Sequence, residues 1–252
     1  MSSSVGEDAG RELRRGVAAS MGLGEALLDG AGTTVVADES RAGSGQVACY
    51  QIGHHTMLPC DPAVIAVARD LVDAAACLSD DDFRAWAGER GGSILGQAVM
   101  KTQSRPLPEL GERPGRLHVF DWARSDDLAL MQALVDASSE DDLDEAEVEM
   151  DELDDQAVGL LDDGGVLRAF ASSRPFDTVP AFGDIGVIVR AGGRGAGWGR
   201  AVVGALISEL LEPAGVAPLY RCDPVTNIGS DRLSAALGFE PALSLSVAML
   251  AA

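Results

Sequence analysis

The chain has 252 residues, a hydrophobic fraction of 46% and a formal net charge of −21, which permits one large packed domain or two small ones. A chain this acidic has no basic surface to neutralise phosphates or anionic headgroups, so we expect neither nucleic acid nor a membrane surface as a partner. No apolar run reaches membrane-spanning length and the N-terminus lacks a signal-peptide core, which predicts a cytoplasmic protein.

The first part of the chain is expected to form a small α/β domain. Apolar periodicity and turn residues predict, in chain order, helix 11–28, strands 33–37 and 46–52, helix 62–78, a helix from Ser79 through Trp86, and strand 93–101. Three prolines within 103–115 indicate a linker. The sequence therefore predicts two domains, 1–110 and 116–252.

A possible metal site in the first domain rests on His54, His55, Cys60 and Asp61, which lie close together in the sequence. A structural zinc site normally brings a second pair of ligands at short spacing, and no such pair follows. The preferred interpretation is that these are loop and strand-end residues, and no metal is expected. The four cysteines form no C-x-x-C pair, which is typical of free thiols.

The second part alternates strands and helices. It is predicted to contain strand 117–122, a helix capped at 125–127 and ending at Val135, a hairpin of 157–161 and 166–172, a proline-containing loop at 173–183, strand 184–190, a helix over 198–211, strand 218–223 and a helix closed by Gly238. The loop at 173–183 is expected to line a substrate cleft.

The stretch 184–211 carries the clearest functional signal, because a β-branched strand runs through five glycines into an amphipathic helix. The unpaired amides and the dipole at the start of such a helix form an anion site, and glycine lets a phosphate approach the backbone. A dinucleotide fingerprint needs a third glycine where Arg200 stands, and a P-loop needs a lysine. Neither is present.

The spacing Arg194-x-x-Gly197-x-Gly199 resembles the phosphate-binding signature of the GCN5-related N-acetyltransferases (GNAT). Asn227-x-x-Ser230, followed by a short helix ending in Leu237-Gly238-Phe239, is similar to the second half of that fold. The resemblance covers about residues 117–250. It implies an α/β (α+β) fold with a mixed, mostly antiparallel sheet flanked by helices. The preceding smaller α/β domain is interpreted as either a degenerate copy of this fold or a domain of unknown role.

The resemblance implies transfer of an acetyl group from acetyl-CoA to a primary amine of a small molecule, peptide or protein. The glycine loop and helix start would bind the pyrophosphate, the central strand would pair with the pantetheine, and Asn227 would contact the pantetheine arm or simply cap its helix. The implied cofactor-binding residues are Val187, Ile188, Val189, Arg194, Gly195, Ala196, Gly197, Trp198, Gly199, Arg200 and Asn227.

The catalytic groups are less well defined. A general base is expected among Glu147, Glu149 and Asp184, where Asp184 has the alternative role of a strand-end hydrogen bond. The acidic run 140–155 is either a solvated helix or loop, or one wall of the acceptor site. Ser234 stands where many family members carry a tyrosine that acts as general acid. Tyr220 is the nearest tyrosine, and Cys222 is interpreted as a core thiol.

Two functions from different classes remain open at this stage. The first is an N-acetyltransferase, and the second is a regulatory module that binds CoA or acyl-CoA without turnover, which the missing tyrosine favours. The chain has one lysine, Lys101, against 18 arginines, which we interpret as the coding bias of a GC-rich bacterial genome. A homodimer is left open.

Overall fold

The computed structural model describes residues 5–74, 78–154 and 156–250. Its elements are mostly antiparallel strands flanked by helices, as expected for the fold class. The helices are α1 (Val5–Ser20), α2 (Ile65–Ala74), α3 (Asp80–Glu89), α4 (Ser125–Val135), α5 (Glu140–Glu145), α6 (Trp198–Leu206), α7 (Glu212–Ala214) and α8 (Ile228–Ala236). The strands are β1 (Gly32–Ala37), β2 (Gln46–Ile52), β3 (His55–Cys60), β4 (Ser93–Gln103), β5 (Arg116–Val119), β6 (Gln156–Leu161), β7 (Leu167–Phe176), β8 (Val179–Val189), β9 (Ala217–Cys222) and β10 (Phe239–Met249).

The chain divides into two compact units, and their limits differ from the expected 1–110 and 116–252. The first unit runs to Thr102 and also includes Arg221–Asp231 and the segment from Pro241 onward. The second comprises Gln103–Tyr220 and Arg232–Glu240. The chain therefore passes from one unit to the other within β4, β9, α8 and β10. Whether 1–110 and 116–252 are separate domains in their own right stays a prediction.

The first unit is built on strands in the order β1-β3-β2-β10-β4. Its core contains Phe83 and Trp86 of α3, whose rings stack with centroids 5.7 Å apart. The predicted helix from Ser79 is present as α3, and it begins with a capping box: the Ser79 hydroxyl accepts from the Asp82 amide at 3.1 Å, and the Asp82 carboxylate accepts from the Ser79 amide. The predicted helix 62–78 begins as a 3-10 turn and continues as α2, while its residues 75–77 lie outside the described part of the chain.

Strand β3 was not predicted from the sequence, but its first and last residues are His55 and Cys60, so their interpretation as strand-end residues is confirmed. All six residues of β3 are buried, because it pairs with β1 in parallel and with β2 in antiparallel direction. A strand buried on both faces lacks the polar and apolar alternation by which strands are recognised. His55 bonds the Thr34 hydroxyl through Nε2 at 2.9 Å, and Asp61 accepts from the amides of Gly45 and Ala63. No group of His, Cys, Asp or Glu suited to a metal ion occurs among the described residues.

The second unit has its strands in the order β9-β8-β7-β6-β5. The predicted hairpin is present as β6 and β7, joined at Asp162–Gly165, where Gly165 takes the positive φ of 76° that the turn requires. Residues 173–183 were expected to form a loop, and this was wrong. They continue β7 and begin β8 around a tight turn at Asp177 and Thr178, with a register shift beside Pro175.

The linker 104–115 has no regular structure but packs within the second unit. Leu110 lies so close to Gly204 of α6 that a Cβ there would come within 2.2 Å of the Leu110 side chain. Arg113 forms an ion pair with Glu209 at 2.8 Å. Further along, Gly238 has a φ of 85° and closes α8 as predicted. No helix of the described residues is long and apolar enough to cross a membrane.

The buried His55 makes the stability of the protein sensitive to mild acid. Burial lowers the pKa of its imidazole below the ordinary 6.5, so the unfolded chain takes up this proton more readily than the folded chain. The resulting stability is complete above pH 6.5 and is lost as the pH falls below it. We therefore expect urea unfolding to show a larger loss of stability between pH 7.5 and 5.5 in the wild type than in His55→Gln.

The neighbouring histidine supplies the control for this experiment. His54 is exposed, so His54→Gln should keep the wild-type dependence on pH. Equal pH dependence of the wild type and His55→Gln would show that the buried imidazole does not control stability in this range.

Candidate functional site

The central strand β8 loses one of its two neighbours part-way along its length. Its parallel ladder with β9 has three pairs and ends at Asp184 and Leu219. In the described residues, 5–74, 78–154 and 156–250, β8 then continues to Val189 with β7 as its only strand partner. The Arg190 amide donates to the Arg168 carbonyl at 3.0 Å, and hydrogen-bonded pairs alternate along an antiparallel ladder. The backbone groups of Val187 and Val189 therefore point to the open edge, whereas those of Ile188 point to β7.

The predicted glycine turn directly follows this open edge. Ala191–Gly193 form one 3-10 turn, and Gly195 and Gly197 then take positive φ values of 77° and 83°. Residues from Arg194 to Gly197 are exposed. A Cβ built at Gly195 or Gly197 would meet nothing within 4 Å, so the space in front of the turn is open to a ligand.

Helix α6 begins at this turn with amides that have no acceptor within the helix. Its N-cap is Gly197, and the Ala201 amide is the first to reach back along the helix, to the Gly197 carbonyl at 3.0 Å. The amides of Trp198, Gly199 and Arg200 therefore precede the first intrahelical bond. At Gly199 a Cβ would lie 3.3 Å from Val189 and from Leu233, so this glycine lets α6 pack against β8.

Arg194 of the signature and Arg200, which directly follows it, are both held by protein groups. The Arg194 guanidinium donates to the Asp142 carboxylate at 2.6 Å and to the Val189 carbonyl at 3.2 Å. Partial burial would raise the pKa of the Asp142 carboxyl, but the Ser139 hydroxyl and the Arg194 guanidinium outweigh it and lower that pKa. Asp142 therefore carries its full charge beside the glycine turn. Arg200 donates to the Glu109 carbonyl at 3.1 Å.

The acidic run begins as the largely exposed helix α5, and the backbone that follows this helix packs on β8. A Cβ at Gly186 would lie 2.4 Å from the Ala146 carbonyl oxygen. Arg174 of β7 donates to the Glu147 carbonyl at 2.5 Å and pairs with Asp154 at 3.1 Å. Glu147 itself has a φ of 51°, in a region that non-glycine residues seldom adopt. Asp155, the last residue of the run, lies outside the described residues.

Further contacts anchor the end of this segment. Asp154 accepts from the Ser172 hydroxyl at 2.6 Å, and its carbonyl accepts from the Trp122 indole at 2.8 Å. Ala146 joins the apolar cluster of Phe170 and Ile188. The acidic segment thus covers the face of β8 at Gly186 and Ile188. Residues Arg174, Asp154 and Asp142 were not predicted from the sequence, since they become neighbours only through the fold.

Comparison with known proteins gives no match among family models or curated proteins. Among solved structures, an acetyltransferase of the GNAT family from Colwellia psychrerythraea matches with a TM-score of 0.51 and 15% identity over 77% of this chain and 76% of that one. A GCN5-related N-acetyltransferase-like protein from Streptococcus suis matches with a TM-score of 0.50 and 17% identity over 95% of this chain and 98% of that one. The chain has the GNAT fold. At such identities the likeness concerns the fold alone.

Of the residues that the GNAT resemblance implies for the cofactor, all but Asn227 lie together in the second unit. Val187 and Val189 present backbone groups at the open edge, followed by the turn and the start of α6. Asn227 belongs to the first unit, where its side chain accepts from the Ser230 amide at 3.0 Å and so caps α8. The capping role is observed, and a cofactor role for Asn227 stays a prediction.

The GNAT-type catalytic candidates occupy different environments. Asp184 is 7% exposed and stands at the last pair of the ladder with β9, opposite Arg174 of β7. Glu147 and Glu149 are exposed on the acidic segment. Ser234 is fully buried in α8, and Tyr220 is 1% exposed with its ring 5.5 Å from that of Phe239. Cys222 is buried and not in a disulfide.

The close approach at Gly186 leads to a test of how tightly the acidic segment packs. Gly186→Ala would force a methyl group against the Ala146 carbonyl, so we expect it to lower the free energy of unfolding by about 1–3 kcal/mol. Gly192→Ala is the matched control, because nothing lies within 4 Å of a Cβ at that position. Urea unfolding measures both. If Gly186→Ala were as stable as the control, the segment would not be packed on β8.

Proposed function

We propose that this protein is an N-acetyltransferase that moves an acetyl group from acetyl-CoA to a primary amine. The observation that supports it best is the continuity of two features in one stretch of chain. The open edge of β8 at Val187 and Val189 leads directly into an exposed glycine turn and a helix start with free amides. An extended chain with a pyrophosphate at one end suits such a surface.

Each part of acetyl-CoA has a candidate partner among these residues. The pyrophosphate would accept hydrogen bonds from the amides of Trp198, Gly199 and Arg200, where the dipole of α6 favours negative charge. The pantetheine amides would pair with the backbone groups of Val187 and Val189, as an added strand pairs with a sheet edge. The backbone groups of Ile188 face β7, so Ile188 would not pair with the pantetheine itself. Arg194 would contact the phosphates after it leaves Asp142.

The reaction itself requires that the amine lose a proton as its nitrogen attacks the thioester carbonyl and the carbon–sulfur bond breaks. Asp184 is the leading candidate for the base, because it stands on β8 where the ladder with β9 ends. Glu147 and Glu149 are alternatives on the exposed acidic segment, whose charge would also attract a cationic amine. The carboxylate must reach the amine directly or through one water molecule.

A CoA-binding module without turnover is the second candidate function. The burial of both Ser234 and Tyr220 favours it, since neither side chain is exposed to protonate a leaving thiolate. Calorimetric titration with acetyl-CoA, followed by thiol release against a panel of amines, separates the two functions. Binding with thiol release supports the transferase. Binding without thiol release supports the module, and no binding contradicts both.

The glycine turn provides the sharpest test of the cofactor site. Gly197 has a positive φ, which Asn and Asp tolerate better than other side chains, and open space lies around it. Gly197→Asp adds a negative charge where the pyrophosphate would bind, whereas Gly197→Asn adds the same shape without the charge. We expect the Asp variant to bind acetyl-CoA at least about tenfold more weakly than the Asn variant. Equal affinities in folded variants would remove the turn from the site.

The ion pair between Arg194 and Asp142 predicts a substitution that strengthens acetyl-CoA binding. Asp142→Asn releases the guanidinium and removes a negative charge near the turn, so acetyl-CoA should bind about two- to fivefold more tightly, as expected for a half-exposed pair. Asp144→Asn is the control, because it removes an exposed charge from the same short helix. The difference between the two variants should shrink in high salt. Equal affinity in both would mean that Asp142 does not compete with the cofactor.

A further inference from the structure

A groove on the first unit holds two opposite charges that do not contact each other directly. It has a volume of about 340 Å³ and is lined by Arg84, Ile94, Leu95, Gly96, Gln97 and Asp223. This volume lies at the small end of the range for ligand sites. Nothing in the proposed acetyl transfer uses these side chains, so the groove requires its own explanation.

The charges are separated by a single neutral amide. The Arg84 guanidinium donates to the Gln97 carbonyl oxygen at 2.5 Å, and the Gln97 amide nitrogen donates to the two Asp223 oxygens at 3.0 and 2.9 Å. Gln97 thus uses both ends of its side chain to hold the guanidinium and the carboxylate one amide group apart. A direct Arg–Asp pair would neutralise itself, whereas this arrangement leaves each charge able to bind a further group.

The remaining contacts keep both charges in place. Burial would raise the pKa of the Asp223 carboxyl, but the hydrogen bonds from the Val225 amide, Gln97 and Thr226 outweigh it and lower that pKa. Arg84 is exposed on α3, and the buried Phe83 and Trp86 fix the opposite face of that helix in the core. The groove therefore has one positive and one negative end.

The floor of the groove is apolar beside this charge pair. Leu95 is 49% exposed and Ile94 is 36% exposed, although both belong to β4. Alternate residues of a strand share a face, so Leu95 lies on the same face as Gln97. An aliphatic group bound beside Gln97 would cover Leu95 and gain the free energy of that burial.

We propose that this groove binds a small zwitterion, an α-amino acid with an aliphatic side chain. Its carboxylate would bind the Arg84 guanidinium, its ammonium group would bind Asp223, and its side chain would pack on Leu95. A simple anion would meet Asp223, and a simple cation would meet Arg84, so only a ligand with both charges satisfies both ends. The inference concerns binding to the first unit, and it stands whether or not the protein transfers acetyl groups.

Calorimetric titration with four ligands tests each part of this recognition. L-Leucine carries all three groups, leucinamide lacks the carboxylate, 4-methylpentanoate lacks the ammonium group, and glycine lacks the side chain. We expect leucine to bind with a Kd below about 1 mM and each of the others to bind at least about tenfold more weakly. The proposal is overturned if leucine does not bind, or if leucinamide or 4-methylpentanoate binds equally well.

Matched variants locate the binding in the groove. Arg84→Gln and Asp223→Asn should each weaken leucine binding by about tenfold or more, and Asn at position 223 can still accept from the Val225 amide, so the turn is preserved. Arg69→Gln and Asp70→Asn make the same charge changes on exposed positions of α2 and should have no effect on leucine binding.

Leu95→Ser tests the apolar contact. This substitution, at an exposed position that tolerates substitution, should remove the preference for leucine over glycine. Thermal unfolding checks that each variant is folded, and unchanged leucine binding in the folded groove variants would contradict the proposal.

Discussion

The early end of the ladder between β8 and β9 is the constraint on which the candidate site depends. A strand in the middle of a sheet normally satisfies its backbone groups on both sides, so an uncovered edge inside a sheet has to be compensated. Here the pairing stops at Asp184 and Leu219 while β8 continues for five more residues. The groups of Val187 and Val189 that would have paired with a strand are left for another partner, and the Arg194 side chain already takes the Val189 carbonyl.

Helix α6 and the acidic segment pack on the two faces of β8 and leave its open edge uncovered. On one face of β8, Gly199 allows α6 to pack against Val189, which directs the free amides of the helix start toward the end of the strand. On the other face, Gly186 allows the backbone of the acidic segment to lie directly on the strand. Both glycines permit close packing, and neither needs an unusual φ. The two glycines that do need one, Gly195 and Gly197, lie between these layers in the exposed turn.

The sequence predicted the elements whose signals are local. The strand, turn and helix from Asp184 to Leu206, the hairpin around Gly165, the helix that begins at Ser79 and the left-handed Gly238 all depend on residues a few positions apart, and each of these predictions is confirmed. Strand β3 was missed because burial on both faces removes its periodicity. The extension of β7 and β8 through Pro175 was missed because proline and glycine normally indicate a loop.

The contacts that give the site its charge could not be predicted at all. Asp142 and Arg194 are 52 residues apart in the chain, and Arg174 reaches Glu147 across 27. These pairings exist because the acidic segment folds back over the sheet, which no spacing in the sequence reveals. The same is true of Gln97 and Asp223, 126 residues apart, which come together because Arg221–Asp231 belongs to the first unit.

The arrangement of these carboxylates also changes how the net charge of −21 is understood. An evenly spread negative charge would repel a phosphate-bearing cosubstrate from the whole protein. In the second unit, however, Asp142 and Asp154 are each bound to an arginine, so part of the acidic segment is neutralised, and the pair of Asp142 lies at the glycine turn. Because Arg194 holds Asp142 in a half-exposed pair of small energy, the phosphate of the proposed acetyl-CoA site would replace that carboxylate with little cost. The acidic segment thus keeps the arginine ordered at the edge of the turn.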